Sequence, residues 1–180
     1  MEQKEYIPFD KIPRLSRECI ITEKIDGTNA LIEITDDGEM LFGSRTRYID
    51  LQTDNHGFVR WVTDNKEELM KLGPGRHFGE WWGSGIQRRY GINEKRFSLF
   101  NTSRWTAETA PDCCHVVPVL YSGEFSTNAV DMCISGLSEK GSIAAPGFMK
   151  PEGVVIYHVA ARLYFKKTIE KDEEYKGKAA

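Results

Sequence analysis

The hydrophobic pattern of the chain switches between two periods. In RECIITEKIDGTNALIEIT (17–35), CIIT is a short β-branched apolar run and NALIEIT alternates with period two, which predicts two strands joined at Asp26-Gly27. Asp36-Asp37-Gly38-Glu39 has hairpin chemistry, and MLFGSRTRYI then returns as a third strand. The three are expected to form an antiparallel meander, with Lys24 at the end of one strand and Arg45 on a neighbouring one. The period lengthens over 55–72. There Phe58, Trp61 and Val62 share one helical face, and Leu69 and Leu72 share another. Thr63-Asp64-Asn65 predicts a cap opening a second short helix, which Gly73-Pro74-Gly75 ends.

The second half is mostly β in pattern. HFGEWWG (77–83) and RFSLFNTSRW (96–105) read as strands around a glycine-bounded loop, GSGIQRRYGINEK. CHVVPVLYSGEF (114–125) continues the pattern, with Pro118 marking an edge or a bulge. Residues 127–138 predict a helix carrying Val130, Ile134 and Leu137 on one face. GVVIYHV (153–159) and ARLYFKKT (161–168) predict a closing hairpin, and 169–180 is a polar tail expected to fray. Together these elements predict an α+β fold of antiparallel β-sheets with flanking short helices and no doubly wound parallel pattern.

Composition narrows the picture. With 180 residues, 40% hydrophobic and 28% charged, the chain is expected to be one domain, 1–180. No apolar run approaches the ~20 residues of a membrane span, and MEQKEYIPFDKIPRL lacks the apolar core of a signal peptide, so a cytoplasmic location is expected. A net charge of −3 and a pI near 5.9 argue against a general nucleic-acid coat protein. They leave room for a local basic groove, since cations cluster in SRTR (44–47), QRR (87–89) and EKR (94–96). Cys19, Cys113, Cys114 and Cys133 contain no C-x-x-C pair. Cys113-Cys114-His115 lacks the spacing of a structural zinc site, so all four are expected to be buried or half-buried thiols.

The candidate chemistry begins at Lys24. A free lysine has a pKa near ~10.4, so only about one in a few thousand is neutral at pH 7. To act as a nucleophile it must shed a proton, and burial or nearby positive charge favours that. Lys166 and Lys167, in a last strand able to pair beside the first, are expected to supply the charge. Each predicted strand also carries a polar residue at or near its end amid apolar neighbours: Lys24, Arg45, Glu80, Glu152 and Lys166. A buried charge is costly unless paired or coordinated. Two carboxylates and two lysines converging on one concave sheet face would suit a triphosphate and a divalent metal.

K-I-D-G-T-N at 24–29 resembles the lysine signature of the covalent nucleotidyltransferases: ATP-dependent DNA ligases, RNA ligases and mRNA capping enzymes. Glu23 and F-G-E-W-W-G-S-G-I-Q-R-R-Y-G at 78–91 resemble specifically the RNA ligases of the phage T4 ligase 2 type. Five spaced motifs occur in the family's order over nearly the whole chain. The resemblance implies the ligase/capping-enzyme nucleotidyltransferase fold, which is ATP-grasp-like, and an ATP-dependent RNA ligase. Such an enzyme forms a lysyl-AMP intermediate, passes AMP to a 5′-phosphate end and seals that end to a 3′-hydroxyl. It implies Lys24, Glu152 and Lys166 as catalytic residues. Nucleotide contacts would come from Glu23, Ile25, Asn29, Arg45, Glu80, Phe100, Lys166 and Lys167. Glu152 would serve Mg2+ through water, with Mn2+ able to substitute, and Arg45, Arg47, Arg88 and Arg89 would grip nucleic acid.

The chain departs from that pattern in three places. Asn101 stands where the family usually has aspartate. Lys166 and Lys167 are adjacent, whereas the family spaces two lysines by one residue, which leaves open which of them faces the phosphate. Only about a dozen residues follow Lys167, so no C-terminal accessory domain is expected, and a partner protein is one source for it. Two other readings stay open: a DNA ligase or capping-type nucleotidyltransferase, and a catalytically silent polynucleotide-binding module. G-I-Q-R-R-Y and Glu23 favour RNA ligase over the first. The intact Lys24, Glu80 and Glu152 weigh against the second.

Overall fold

A computed structural model of the chain describes residues 5–172, so 173–180 of the expected polar tail lie outside the described residues. Its strands form two sheets. The first has the order β7-β1-β8-β9, built from Val119–Glu124, Glu18–Lys24, Gly153–His158 and Leu163–Thr168. The second has the order β3-β2-β4-β5-β6, built from Met40–Gly43, Thr28–Ile34, Gly75–Gly83, Lys95–Leu99 and His115–Val116. Every pairing is antiparallel except the short parallel one between β5 and β6.

Strand alternation gives each sheet one face for a helical layer. On the first sheet Cys19, Ile21, Val154 and Ile156 pack against Ala129, Val130 and Leu137 of helix α3 (Thr127–Lys140). Ser126 caps that helix by accepting from the Ala129 amide, as a serine at this position should. On the second sheet Ala30, Ile32, Ile34, Trp81, Phe97 and Leu99 pack against α1 (Phe58–Asp64), α2 (Lys66–Leu69) and the 3-10 turn Met70–Leu72. A third cluster of Ile25, Trp82, Tyr90, Val117 and Ala145 joins the two halves.

Several boundaries differ from the sequence reading, each for a physical reason. The strands on either side of Asp26-Gly27 do not pair with each other. The chain crosses there from one sheet to the other, because β1 is flanked by β7 and β8 while β2 is flanked by β3 and β4. The β2–β3 hairpin forms as the DDGE turn predicts, with the Thr35 amide donating to Glu39 O at 2.9 Å. Likewise β9 pairs with β8 and lies two strands from β1. The 96–105 stretch leaves the strand after Leu99, where Asn101 folds a turn by accepting from the Arg104 amide at 3.1 Å. Pro118 sits where the chain passes from β6 in one sheet to β7, an edge strand of the other. Its carbonyl accepts from the Glu23 amide at 3.0 Å, beside a register shift at Ile21/Thr22. Asn65 makes no side-chain cap for α2; it donates instead to Trp61 O at 2.8 Å and closes α1.

The crossing at Gly27 tolerates no side chain. A Cβ there would lie 2.4 Å from Trp81 O and 2.7 Å from Trp82 Cβ. Gly27→Ala is therefore expected to lower stability by about 1–3 kcal/mol through overpacking. Calorimetry should show Tm falling by several degrees, and an unchanged Tm would contradict the close approach.

Candidate active site

Between the two sheets lies a cleft of about 750 Å3. Alternation along β1 sends Ile20, Thr22 and Lys24 into it; Glu23 also borders the cleft, but its carboxylate turns to Ser142. The Lys24 Nζ donates to Glu152 Oε2 at 2.6 Å, and the two side chains are 22% and 14% exposed. Register makes this contact. Lys24 pairs with Gly153, so the residue just ahead of β8 stands beside the end of β1. From the opposite sheet comes Glu80, whose Oε1 accepts from the Gly27 amide at 3.0 Å. Burial pushes the Glu80 carboxyl up to about 7; the charge of Lys24 and the Gly27 amide oppose that shift, and Glu152 adds to it.

The polar set therefore comes from two facing sheets, not from one concave face. The direct partner of Lys24 is also opposite in sign to the cationic neighbours expected for it. Lys166 pairs with Val155, which lines the cleft, so Lys166 lies on the cleft face of β9. Lys167 pairs with the core residue Val154, lies on the α3 face, and binds Asp131 at 2.8 Å. Strand parity thus puts the two adjacent lysines on opposite faces of β9, although Lys166 is exposed and outside the cleft's lining.

Glu23 is 1% exposed and fully engaged. It accepts from Ser142 Oγ at 2.5 Å and from the Ile143 and Ala144 amides at 2.8 and 2.9 Å, which offsets the desolvation of a buried carboxylate. It thereby fixes the loop after α3 behind the site. Ile25, Asn29, Arg45 and Phe100 all line the cleft, and Asn29 pairs with Glu80. Asn101 lines it too, with its side chain committed to the turn. The four arginines separate. Arg45 lines the cleft, whereas Arg47 and Arg89 are exposed outside its lining. Arg88 is bound to Asp26 at 2.9 Å and to Lys150 O at 3.0 Å, so it holds the turn after Lys24.

Sequence reasoning missed some of these contributors. Tyr90, 2% exposed, accepts from the Asp26 amide at 2.7 Å, and Ser142 binds Glu23. Both contacts span long stretches of chain, so no local pattern reveals them. Arg76, Phe78, Tyr157 and Tyr164 also line the cleft. These were within reach, because Arg76 and Phe78 share strand parity with Glu80. The four cysteines are free thiols, Cys19 and Cys114 buried and Cys113 and Cys133 half-buried, as expected. Among the described residues no three His, Cys, Asp or Glu side chains group as a metal cage, and no helix is long and apolar enough to cross a membrane. Glu80 on the cleft wall and Glu152 beside Lys24 do suit a hard divalent cation that draws its remaining ligands from phosphate and water.

Two packed sheets with a lysine and two carboxylates between them have the nucleotidyltransferase fold of RNA ligases. The RNA ligase family model matches residues 17–172, and the chain belongs to that family. Among solved structures, the chain is similar to a Naegleria gruberi RNA ligase variant with ATP and Mn. The TM-score is 0.65 at 19% identity, over 87% of this chain and 51% of that one. A Naegleria gruberi RNA ligase variant with AMP and Mn gives 0.63 at 18% identity, over 84% and 49%. The Naegleria gruberi RNA ligase with PPi gives 0.62 at 19% identity, over 85% and 50%. The chain thus spans about half the length of these proteins. No curated protein matches it in sequence.

The Glu80 environment yields a pH signature. Its folded-state value of about 7 lies above the ordinary 4.5, so its contribution to stability is present below 4.5 and is lost as pH rises through about 7. Glu80→Gln keeps an oxygen for Gly27 and removes the titration. Denaturant titrations at about pH 5 and pH 8 should show the variant gaining on the wild type by up to about 2–3 kcal/mol at the higher pH. A difference independent of pH would contradict the burial of this carboxyl.

Proposed function

We propose that the chain is the adenylylating domain of an ATP-dependent RNA ligase, with Lys24 as its nucleophile. The observation that carries this reading is the amine itself, half-buried in a cleft between two sheets and 2.6 Å from Glu152, with Glu80 on the facing wall. The Nζ lone pair would form a bond to the α-phosphorus of ATP as the bond to the bridging oxygen of pyrophosphate breaks. Pyrophosphate leaves with that electron pair. One Nζ proton passes first to Glu152, the acceptor already in hydrogen-bond contact, and a second leaves with the departing pyrophosphate as the P–N bond forms. AMP then moves from Lys24 to a 5′-phosphate end, and a 3′-hydroxyl displaces it to seal the strand.

The other side chains position and neutralise. Lys166, on the cleft face of β9, offsets charge that builds on the α-phosphate. Phe100 gives the base an apolar face, worth about 1–3 kcal/mol by analogy with base–aromatic stacking. Glu80, with its carboxyl near neutrality, holds ribose hydroxyls, and Arg45 serves the nucleotide or the phosphorylated end. Glu152, through water, would hold Mg2+ or Mn2+, and the ion when bound would supply charge neutralisation at the phosphate. ATP and manganese in the relatives' structures support this choice of ligands. Sealing of RNA ends, an accessory segment from a partner and a cytoplasmic location, which suits four free thiols, belong to the same proposal.

Incubation with radiolabelled ATP and magnesium, followed by a denaturing gel, tests it. The wild type should carry label and Lys24→Ala should carry none. Glu152→Gln should label roughly 10- to 100-fold more slowly, and Lys166→Ala should slow labelling more than Lys167→Ala. An unlabelled wild type with either metal, or a labelled Lys24→Ala protein, would overturn the reading.

A further inference from the structure

The cleft extends well past the residues used above, and its outer end differs in chemistry from its inner one. On the first sheet, Tyr157 and Tyr164 pair across β8 and β9 with ring centroids 4.6 Å apart, and both line the cleft. Tyr164 is 63% exposed. On the second sheet the guanidinium of Arg76 lies 5.1 Å from the Phe78 ring, and that of Arg104 lies 4.9 Å from the Trp105 ring. All four of these residues line the same cleft. Each arginine keeps donors free. Arg76 uses Nε on Glu33 at 3.3 Å, and Arg104 uses one terminal nitrogen on Leu72 O at 2.6 Å.

Registers in the two sheets place this end consistently. Tyr157 pairs with Ile20, four residues before Lys24 on β1, which is roughly 13 Å along a strand. Arg76 lies four residues before Glu80 on β4, at the same roughly 13 Å spacing. Aromatic faces that accept any base, interleaved with arginines for the backbone, form the usual platform for single-stranded nucleic acid. A duplex keeps its bases stacked within and does not offer them to such a surface, whereas unpaired RNA can splay its bases onto aromatic rings.

Resting on the RNA ligase reading, we propose that the tyrosine pair and the two arginine–aromatic stacks form a track for the unpaired end of the RNA. The substrate class is then single-stranded RNA ends, not a fully paired nick. The track holds the bases next to the joint and leaves the phosphorylated end to reach Lys24. It also explains a cleft longer than the lysine and carboxylate cluster needs.

Fluorescence anisotropy with a short 5′-phosphorylated RNA, single-stranded or fully paired around a nick, tests the proposal without requiring turnover. The wild type should bind the single strand at least roughly 5-fold more tightly than the nicked duplex. Tyr164→Ala should weaken single-strand binding roughly 5- to 100-fold, the range for losing one base stack. Tyr164→Phe should restore it, and Arg104→Ala should reduce its salt dependence. Equal binding of both RNAs by the wild type, or full single-strand affinity in Tyr164→Ala, would overturn the track. So would a rise in the half-saturating ATP concentration of Tyr164→Ala as large as its loss of RNA affinity, since that would place the tyrosines in the nucleotide pocket. Selective single-strand binding by a wild type that never labels with ATP would sustain the track and sink only the adenylylation reading.

Discussion

The site depends on one ion pair between sequence-distant residues. Lys24 ends a strand and Glu152 precedes another, and the antiparallel register of β1 on β8 sets their charged atoms 2.6 Å apart in a half-buried cleft. A lone ammonium or carboxylate there would be costly to desolvate, and each group offsets part of that penalty for the other. The pair thus holds the Lys24 side chain in place at the wall of the cleft. Nucleophilic chemistry at Nζ would need a free lone pair on the nitrogen, and Glu152 is the proton acceptor already in contact with it.

The short crossing after Lys24 makes the site a cleft. Ile25 enters the cluster that joins the two halves, Asp26 is held by Arg88 and Tyr90, and Gly27 lies against the backbone of Trp81 while donating to Glu80. Adjacent residues serve opposite faces: Glu23 locks the loop after α3, and Lys24 reaches into the cavity. A shift of one residue in β1 would exchange these environments, burying the amine and exposing the brace. Packing of Cys19 and Ile21 on α3 holds that register.

Much of this was legible in the sequence, and what was not has a common cause. Apolar β-branched runs and the alternation of NALIEIT located the strands β1, β2, β4, β8 and β9, and the 3.6 period located α1 and α3; a buried face underlies the pattern in all of these but β9, whose residues are exposed or half-buried. The resemblance to RNA ligases named the family that the match over residues 17–172 then established. Sheet partners were less legible. Sequential order predicted a meander through Asp26-Gly27, whereas the sheets are assembled from strands far apart in the chain. The same limit hid the Glu23–Ser142 and Asp26–Arg88 contacts, and it made Arg88 read as a nucleic-acid contact. Parity along β9, by contrast, separated Lys166 from Lys167 once Val155 was placed in the cleft.

The central claim is that the Lys24 nitrogen itself becomes bonded to phosphorus. Tandem mass spectrometry of the wild-type chain after exposure to ATP and magnesium tests this most directly, because it assigns an adenylate to a single side chain. The account predicts that fragmentation localises the mass of AMP to Lys24, on a linkage that is lost in acid and survives in base. An adenylate on any other residue, or nucleotide that dissociates intact on denaturation, would contradict it.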